Sequence, residues 1–231
     1  QEHGGYVVFV SLMILLGAIV KSAQFPFSSW LPRAMEGPTT SSAIFYGSLS
    51  VHLGAFLLLR TNPYWESLTL IKILIILTGA VTSGIATSIA KVQSSVKAQI
   101  AYSSIAQLGL IFIEIALGFH NLALLHFAGN ALLRSYQLLV SPSVLSYLIH
   151  NMVFNFSPRK QRDRKSFVAR VNNSLYILSI KEWNLDFLLY RFLWNPLKWS
   201  GKRLNFLSGK ISVVLLSILF LVGLYGNYFA A

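Results

Sequence analysis

The sequence predicts an all-α fold: a polytopic bundle of about six transmembrane helices, one of them discontinuous near Lys21–Pro26. Three observations predict it. Apolar residues make up 55% of the chain and only 11% are charged, against about a quarter charged in a typical soluble domain. Apolar runs approaching the roughly 20 residues needed to cross a bilayer recur along the chain. The remaining charge is gathered in one place, since twelve of the nineteen Lys and Arg fall from Arg159 to Lys210, outside the strongest apolar runs.

The elements follow in order. A first span runs from about Tyr6 to Ala23 and then meets Pro26 and Pro32, both read as helix breaks. No basic n-region with a cleavage site precedes it, so this run is read as a span and not as a signal peptide. A second span covers about Ser41–Leu59, a third Leu68–Ala90 and a fourth Ala98–Leu117. A turn at Phe119–Asn121 leads into a fifth, which reaches about Ile149, and the cleanest apolar run, Ile211–Tyr228, closes the chain. The expected organisation is therefore a transmembrane core at 1–150, a basic and aromatic cytoplasmic or interfacial segment at 151–210, and a C-terminal transmembrane helix at 211–231.

The formal net charge of +12 would suggest nucleic acid in a soluble protein. Here no recognition motif accompanies it, and a basic cluster beside membrane spans is the positive-inside signal. Alternation then puts Lys91 and Lys97 on the cytoplasmic side with the cluster, and Asn62–Glu66 on the opposite side, where Tyr64 and Trp65 read as interfacial anchors. The stretch Ser157–Arg170 is too polar to be buried. Beyond it, Trp183, Phe187, Tyr190, Trp194 and Trp199 interleave with Lys181, Arg191, Lys198, Lys202 and Arg203. That pattern fits an interfacial tether with its cations snorkelling outward, so anionic lipids are the expected partners of 157–203. Cysteine is absent, which excludes disulfides, thiolate catalysis and iron–sulfur ligation by this chain.

Ionisable side chains inside a span cost several kcal/mol, so each needs a reason. Lys21 stands five residues before Pro26, and Pro26 leaves the Ser22 carbonyl without its helical partner. Two readings stand: a cation beside the freed backbone of a broken helix, or a lysine snorkelling at a helix end. Glu114 lies in the apolar run Leu110–Leu117, with Gln107 seven residues earlier on the same helical face. It is either a buried carboxylate or one that reaches headgroup water. His126, Asn130 and Arg134 are spaced by four and form one polar stripe, which Gln137 extends. Histidine suits proton transfer because its unperturbed pKa lies near neutrality, although the same stripe could serve as an interhelical hydrogen-bond seam. His52 adds a titratable group in the middle of the second span. Together these residues put Lys, His, Glu and Arg on successive spans, as a transmembrane proton relay requires.

The segment Gly17–Ala43, GAIVKSAQFPFSSWLPRAMEGPTTSSA, resembles the signature of the antiporter-like subunits of respiratory complex I and of Mrp cation/proton antiporters. Val96-Lys97, the run Ile100–Gly109 and the His126 helix continue the likeness, which covers roughly Tyr6–Gln137. The resemblance implies that Lys21 lies in a discontinuous helix on a hydrated central axis and is a key protonatable group. It implies that His126 takes the place of the first histidine of a paired-histidine helix, with Arg134 where a lysine is usual. It also implies other membrane subunits as partners and an energy-coupling membrane such as a cell inner membrane.

The departures from the pattern are specific. Asn130 replaces the second histidine of the pair, Tyr46 stands where the family has a histidine, and Ser95 stands where an Asp precedes Val96-Lys97. His52 falls where Mrp-type members carry lysine. The family helices holding the glutamate that pairs with the lysine, and a later second lysine, are not in this sequence.

The expected relay is therefore Lys21, His52, Glu114, His126 and Arg134, with Tyr46, Lys97, Gln107 and Asn130 as supporting polar groups. No catalytic residue, metal site or cofactor is expected in this chain, which has no nucleophile motif, metal-ligand set or nucleotide loop. Two other functions compete. The run Ser135–Ser143 and the absent Asp resemble the membrane subunit of DAB inorganic-carbon transporters, which works beside a large soluble zinc protein. A non-conducting scaffold is the other.

Overall fold

Polar backbone cannot face hydrocarbon unpaired, so a chain this apolar must close its hydrogen bonds within helices. The computed structural model describes residues 2–154, 167–203 and 210–230, and among them there are helices and no strands. It divides into two compact units, 1–185 and 186–231.

The first unit opens with α1 (Glu2–Lys21) and the short α2 (Trp30–Ala34). A single span, Thr39–Arg60, follows; it starts as α3 (Thr39–Ser41), widens into a π-helix over Ser42–Ser50 and ends as α4 (Leu53–Arg60). The turn α5 (Asn62–Trp65) leads to α6 (Thr69–Ala90) and α7 (Val96–Ala116), an antiparallel hairpin. The long α8 (His120–Phe154) packs on α7 and on the π-helical segment, and α9 (Phe167–Ile180) packs on α6. Helix–helix contact in a membrane depends on small residues that let backbones approach. Gly79 of α6 and Gly109 of α7 meet face to face, and a Cβ on either would strike the other's carbonyl oxygen. Gly54 likewise lies against the Ala18 carbonyl of α1.

Both prolines that interrupt helices are compensated locally. Pro26 takes the donor from the Ser22 carbonyl, and Gln24 Nε2 donates to that oxygen at 3.0 Å. Ser22 Oγ donates to the Val51 carbonyl at 2.7 Å, and the Phe25 N–H donates to Thr82 Oγ1 at 2.9 Å. Val51 and Thr82 lie near the middle of their helices, so the break sits at mid-depth. Pro142, inside α8, frees the Leu138 carbonyl, which Ser141 Oγ meets at 2.8 Å. Pro32 breaks nothing. It lies in the first turn of α2, where backbone N–H groups have no intrahelical partner to lose.

Among the described residues, three helices are long and apolar enough to cross a membrane, at Thr39–Arg60, Thr69–Ala90 and Val96–Ala116, with shorter apolar stretches at Gly5–Lys21 and Ser212–Val222. The bundle character is as expected, and about half of the six expected spans meet that measure. α8 is 35 residues long, but its polar stripe makes it less apolar than the others. The α6–α7 turn and the α7–α8 turn lie at opposite ends of the unit. Gln93 in the α6–α7 turn donates to Glu182 Oε1 at 3.3 Å, and Lys97 Nζ donates to the Gly37 carbonyl at 2.7 Å. At the opposite end Asn62 meets His120 Nε2 at 3.4 Å.

Two aromatic assignments change. Tyr64 is exposed, as an interfacial anchor should be, but Trp65 is only 1% exposed, because the α5 turn folds it into the core. Trp183 also packs partly against that core, in a turn where Glu182, Trp183 and Asn184 all have positive φ.

The division between units falls inside α10 (Leu185–Leu189). The second unit continues through a π-turn at Tyr190–Trp194 to α11 (Asn195–Arg203) and α12 (Lys210–Ala230). Phe187, Tyr190, Trp194 and Trp199 are exposed here, and the Arg203 guanidinium lies 3.9 Å above the Trp199 ring. Most of the basic stretch Ser157–Arg170 lies outside the described residues.

The Gly79–Gly109 contact yields a test. Gly109→Val should lower stability by about 1–3 kcal/mol by forcing α6 and α7 apart, read as a drop in unfolding temperature in mild detergent. Gly84→Ala, which meets open space, should not. Equal behaviour of the two variants would contradict the packing.

Candidate functional site

α8 runs beside α7 and the Thr39–Arg60 span, and the spacing of four along α8 turns His126, Asn130 and Arg134 toward them. Polar groups that no water can reach must then pair across the helix boundaries. His126 sits between two residues of α7: its Nδ1–H donates to Glu114 Oε1 at 2.8 Å, and Nε2 meets Gln107 Oε1 at 2.8 Å. The side chains of His126 and Glu114 are 24% and 20% exposed, so this pair is shielded without being sealed. One turn further along, Asn130 Nδ2 donates to His52 Nε2 at 3.1 Å. Arg134 Nε donates to Asn130 Oδ1 at 3.1 Å, and Arg134 Nη1 donates to Gln137 Oε1 at 2.6 Å. His52, Asn130 and Arg134 are buried, and the edge of the His52 ring packs on Phe127 with centroids 4.9 Å apart.

Seven polar side chains thus form two hydrogen-bonded groups, one of three and one of four, set along a single seam with α8 as its spine. Four of the five expected relay residues, His52, Glu114, His126 and Arg134, lie in it together with Gln107 and Asn130. Gln107 and His52 fall near the middle of their helices and Glu114 in the last turn of α7, so the seam runs from mid-depth toward that end. A polar cavity of about 250 Å³ reaches it between α6, α7 and α8, with Lys91, Thr87, Gln99 and Ser103 leading to Gln107 and Arg134.

Three expected residues stand apart. Lys21 is exposed at the end of α1 and makes no hydrogen bond or ion pair among the described residues. Its neighbour Ser22 nevertheless bonds to Val51, the residue before His52. Lys97 clamps the turn after α2 through Gly37. Tyr46 is half-buried against the core.

Sequence reasoning missed Gln24 and Thr82, whose side chains meet the broken backbone, and the cavity-lining Thr87, Gln99 and Ser103. Gln24 carried a local signal, as it lies between the freed carbonyl and Pro26. Thr82 carried none, since it belongs to another helix.

The family model described as NADH:quinone oxidoreductase/Mrp antiporter, transmembrane, matches residues 3–155, more than half of the chain. The chain belongs to this family. Among its curated relatives, NADH-ubiquinone oxidoreductase chain 5 of Trichophyton rubrum is 34% identical over 175 residues, covering 76% of this chain and 26% of the relative. NAD(P)H-quinone oxidoreductase subunit 5, chloroplastic, of Lolium perenne is 38% identical over 155 residues, covering 66% of this chain and 20% of the relative. The Chaetosphaeridium globosum protein of the same description is 37% identical over 158 residues, covering 68% and 23%. The chain therefore spans about a fifth to a quarter of the length of these relatives. The matched region takes in the break at Pro26 and the whole seam, so membership of this antiporter family rests on the part of the chain that carries the polar groups.

The central contact is open to a double-mutant cycle. Glu114→Ala and His126→Ala, alone and combined, should show a coupling of about 1–3 kcal/mol in unfolding free energy. Strictly additive losses would mean the two side chains do not bond.

Proposed function

We propose that this chain is a proton-translocating membrane subunit of a complex I-like NADH:quinone oxidoreductase, in which Lys21, His52, Glu114, His126 and Arg134 serve the relay. The observation that carries this reading is the seam itself: a His126–Glu114–Gln107 group and a His52–Asn130–Arg134–Gln137 group lie along one stripe of α8 inside a membrane bundle. Ionisable groups so placed mark ion pathways.

Each part supplies a different step. Glu114 holds His126 by Nδ1, and its Oε2 is buried without a protein partner among the described residues, leaving a site where a proton can be taken up. Gln107 can present either its oxygen or its amide hydrogens to His126 Nε2, so it suits imidazole and imidazolium alike. Water in the cavity that ends at Gln107 and Arg134 would connect the seam to the Lys91 end, where the gaps exceed direct hydrogen-bond length. The break at Pro26 supports a place for Lys21 on the same axis. Its exposed side chain is suited to a partner helix.

The same reading places the chain in an energy-coupling membrane beside other membrane subunits, with 151–210 on the cytoplasmic side. The exposed aromatics and cations of α11 support a contact with anionic headgroups. An inorganic-carbon uptake role with a soluble zinc-binding partner is not favoured, because the relatives named above are quinone oxidoreductase subunits.

In the native assembly, Lys21→Ala should abolish coupled proton movement while the complex still purifies intact, as judged by subunit composition and flux in vesicles. Unchanged flux would remove Lys21 from the relay and leave a non-conducting scaffold as the better account. Recovery of a zinc protein in place of quinone-reductase subunits would overturn the assignment to an oxidoreductase.

A further inference from the structure

The two histidines of the seam are held in different ways, and the difference traces to Arg134. Arginine has donors only, so the Asn130 atom that faces Arg134 Nε at 3.1 Å must be the carbonyl oxygen. That fixes the amide, whose other end, the NH₂, faces His52 Nε2 at 3.1 Å. An NH₂ group donates and cannot accept, so His52 Nε2 must accept and carries no proton; the ring proton sits on Nδ1. His126 is held otherwise: the Glu114 carboxylate fixes a proton on its Nδ1, while Gln107, free to turn, leaves Nε2 able to accept or to donate.

We propose that Arg134 is a positioning residue for the relay: by fixing the Asn130 amide, it holds Nε2 of His52 as a proton acceptor. This deepens the proton-relay reading and rests on it. A consequence follows from the same donor count. A proton delivered by a hydronium to Nε2 forms an N–H bond there and leaves water behind. Nε2–H then opposes the Asn130 NH₂, donor against donor, and the conflict is relieved when the amide turns its oxygen to the ring. Its NH₂ then faces Arg134, which cannot accept, so the guanidinium must release Asn130. Gln137, already bonded to Nη1 at 2.6 Å, is there to keep it. Loading His52 and unlatching Arg134 are thus one event. The charged or titratable groups that bear on His52 are Arg134 and His126, both from α8, so the latch lies on the helix that carries the other histidine.

The test is the protonation state of the two ring nitrogens, read by solid-state ¹⁵N NMR. The native assembly is labelled at histidine, embedded in lipid at neutral pH, and the His52 signals are assigned by difference from His52→Gln. The wild type should show Nε2 in the unprotonated range and Nδ1 in the protonated range. Asn130→Asp can only accept, so it should shift the Nε2 signal into the protonated range. Arg134→Met should leave the amide free and give two tautomers, while Arg134→Lys, still a pure donor, should restore the wild-type pattern. A protonated Nε2 in the wild type overturns the proposal whether or not any variant assembles. So does an Arg134→Met spectrum identical to the wild type. The nitrogen signals do not depend on transport: if they come out as expected while Lys21→Ala leaves flux unchanged, the latch stands and the relay reading falls.

Discussion

Hydrocarbon gives a buried imidazole, amide or guanidinium no water to bond with, so each must find its partner inside the protein. α8 carries four such groups on one stripe, His126, Asn130, Arg134 and Gln137. The neighbouring elements are arranged to answer them. α7 supplies Glu114 and Gln107, and the Thr39–Arg60 span supplies His52. The close packing of Gly79 on Gly109 brings α7 against α6, and Gly47 lets the π-helical segment approach Leu138 of α8. The π-helix itself, Ser42–Ser50, ends just before His52 and rotates that residue relative to a regular helix.

The same rule explains the proline breaks. A broken helix in a membrane is tolerated where other groups take over the lost hydrogen bonds. Gln24, Thr82 and Ser141 do so here, each with a bond of 2.8 to 3.0 Å. The break at Pro26 thus persists at mid-depth, beside Val51 and one residue from His52, without leaving bare backbone in lipid. Lys21, at the end of α1, is the one expected relay residue whose side chain faces outward.

Much of this was legible in the sequence because it is local. Spacing by four put His126, Asn130 and Arg134 on one stripe, spacing by seven put Gln107 and Glu114 on one face, and Pro26 marked the break. What could not be read is what crosses between helices. Nothing in the sequence pairs His52 with Asn130, 78 residues away. The π-helix leaves no compositional trace, since it is a change in backbone pairing and not in residue type. Trp65 and Trp183 read as interfacial by type, yet the turns that hold them fold them against the core. Lys97 and Pro32 matched the family pattern, but one clamps a loop carbonyl and the other sits harmlessly in a first turn. Motif identity does not place a side chain.

The seam does two jobs at once: it holds three helices together and it offers groups that can carry a proton. Only the second is specific to transport, and in the relay we propose His126 is the residue on which it turns, because within the seam it bonds both a carboxylate and an adjustable amide. The most direct measurement is proton flux through the purified native assembly in lipid vesicles, comparing the wild type with His126→Leu. Flux should fall to near the level of empty vesicles while subunit composition stays the same. Undiminished flux in an intact assembly would contradict the account and reduce the seam to a structural hydrogen-bond network.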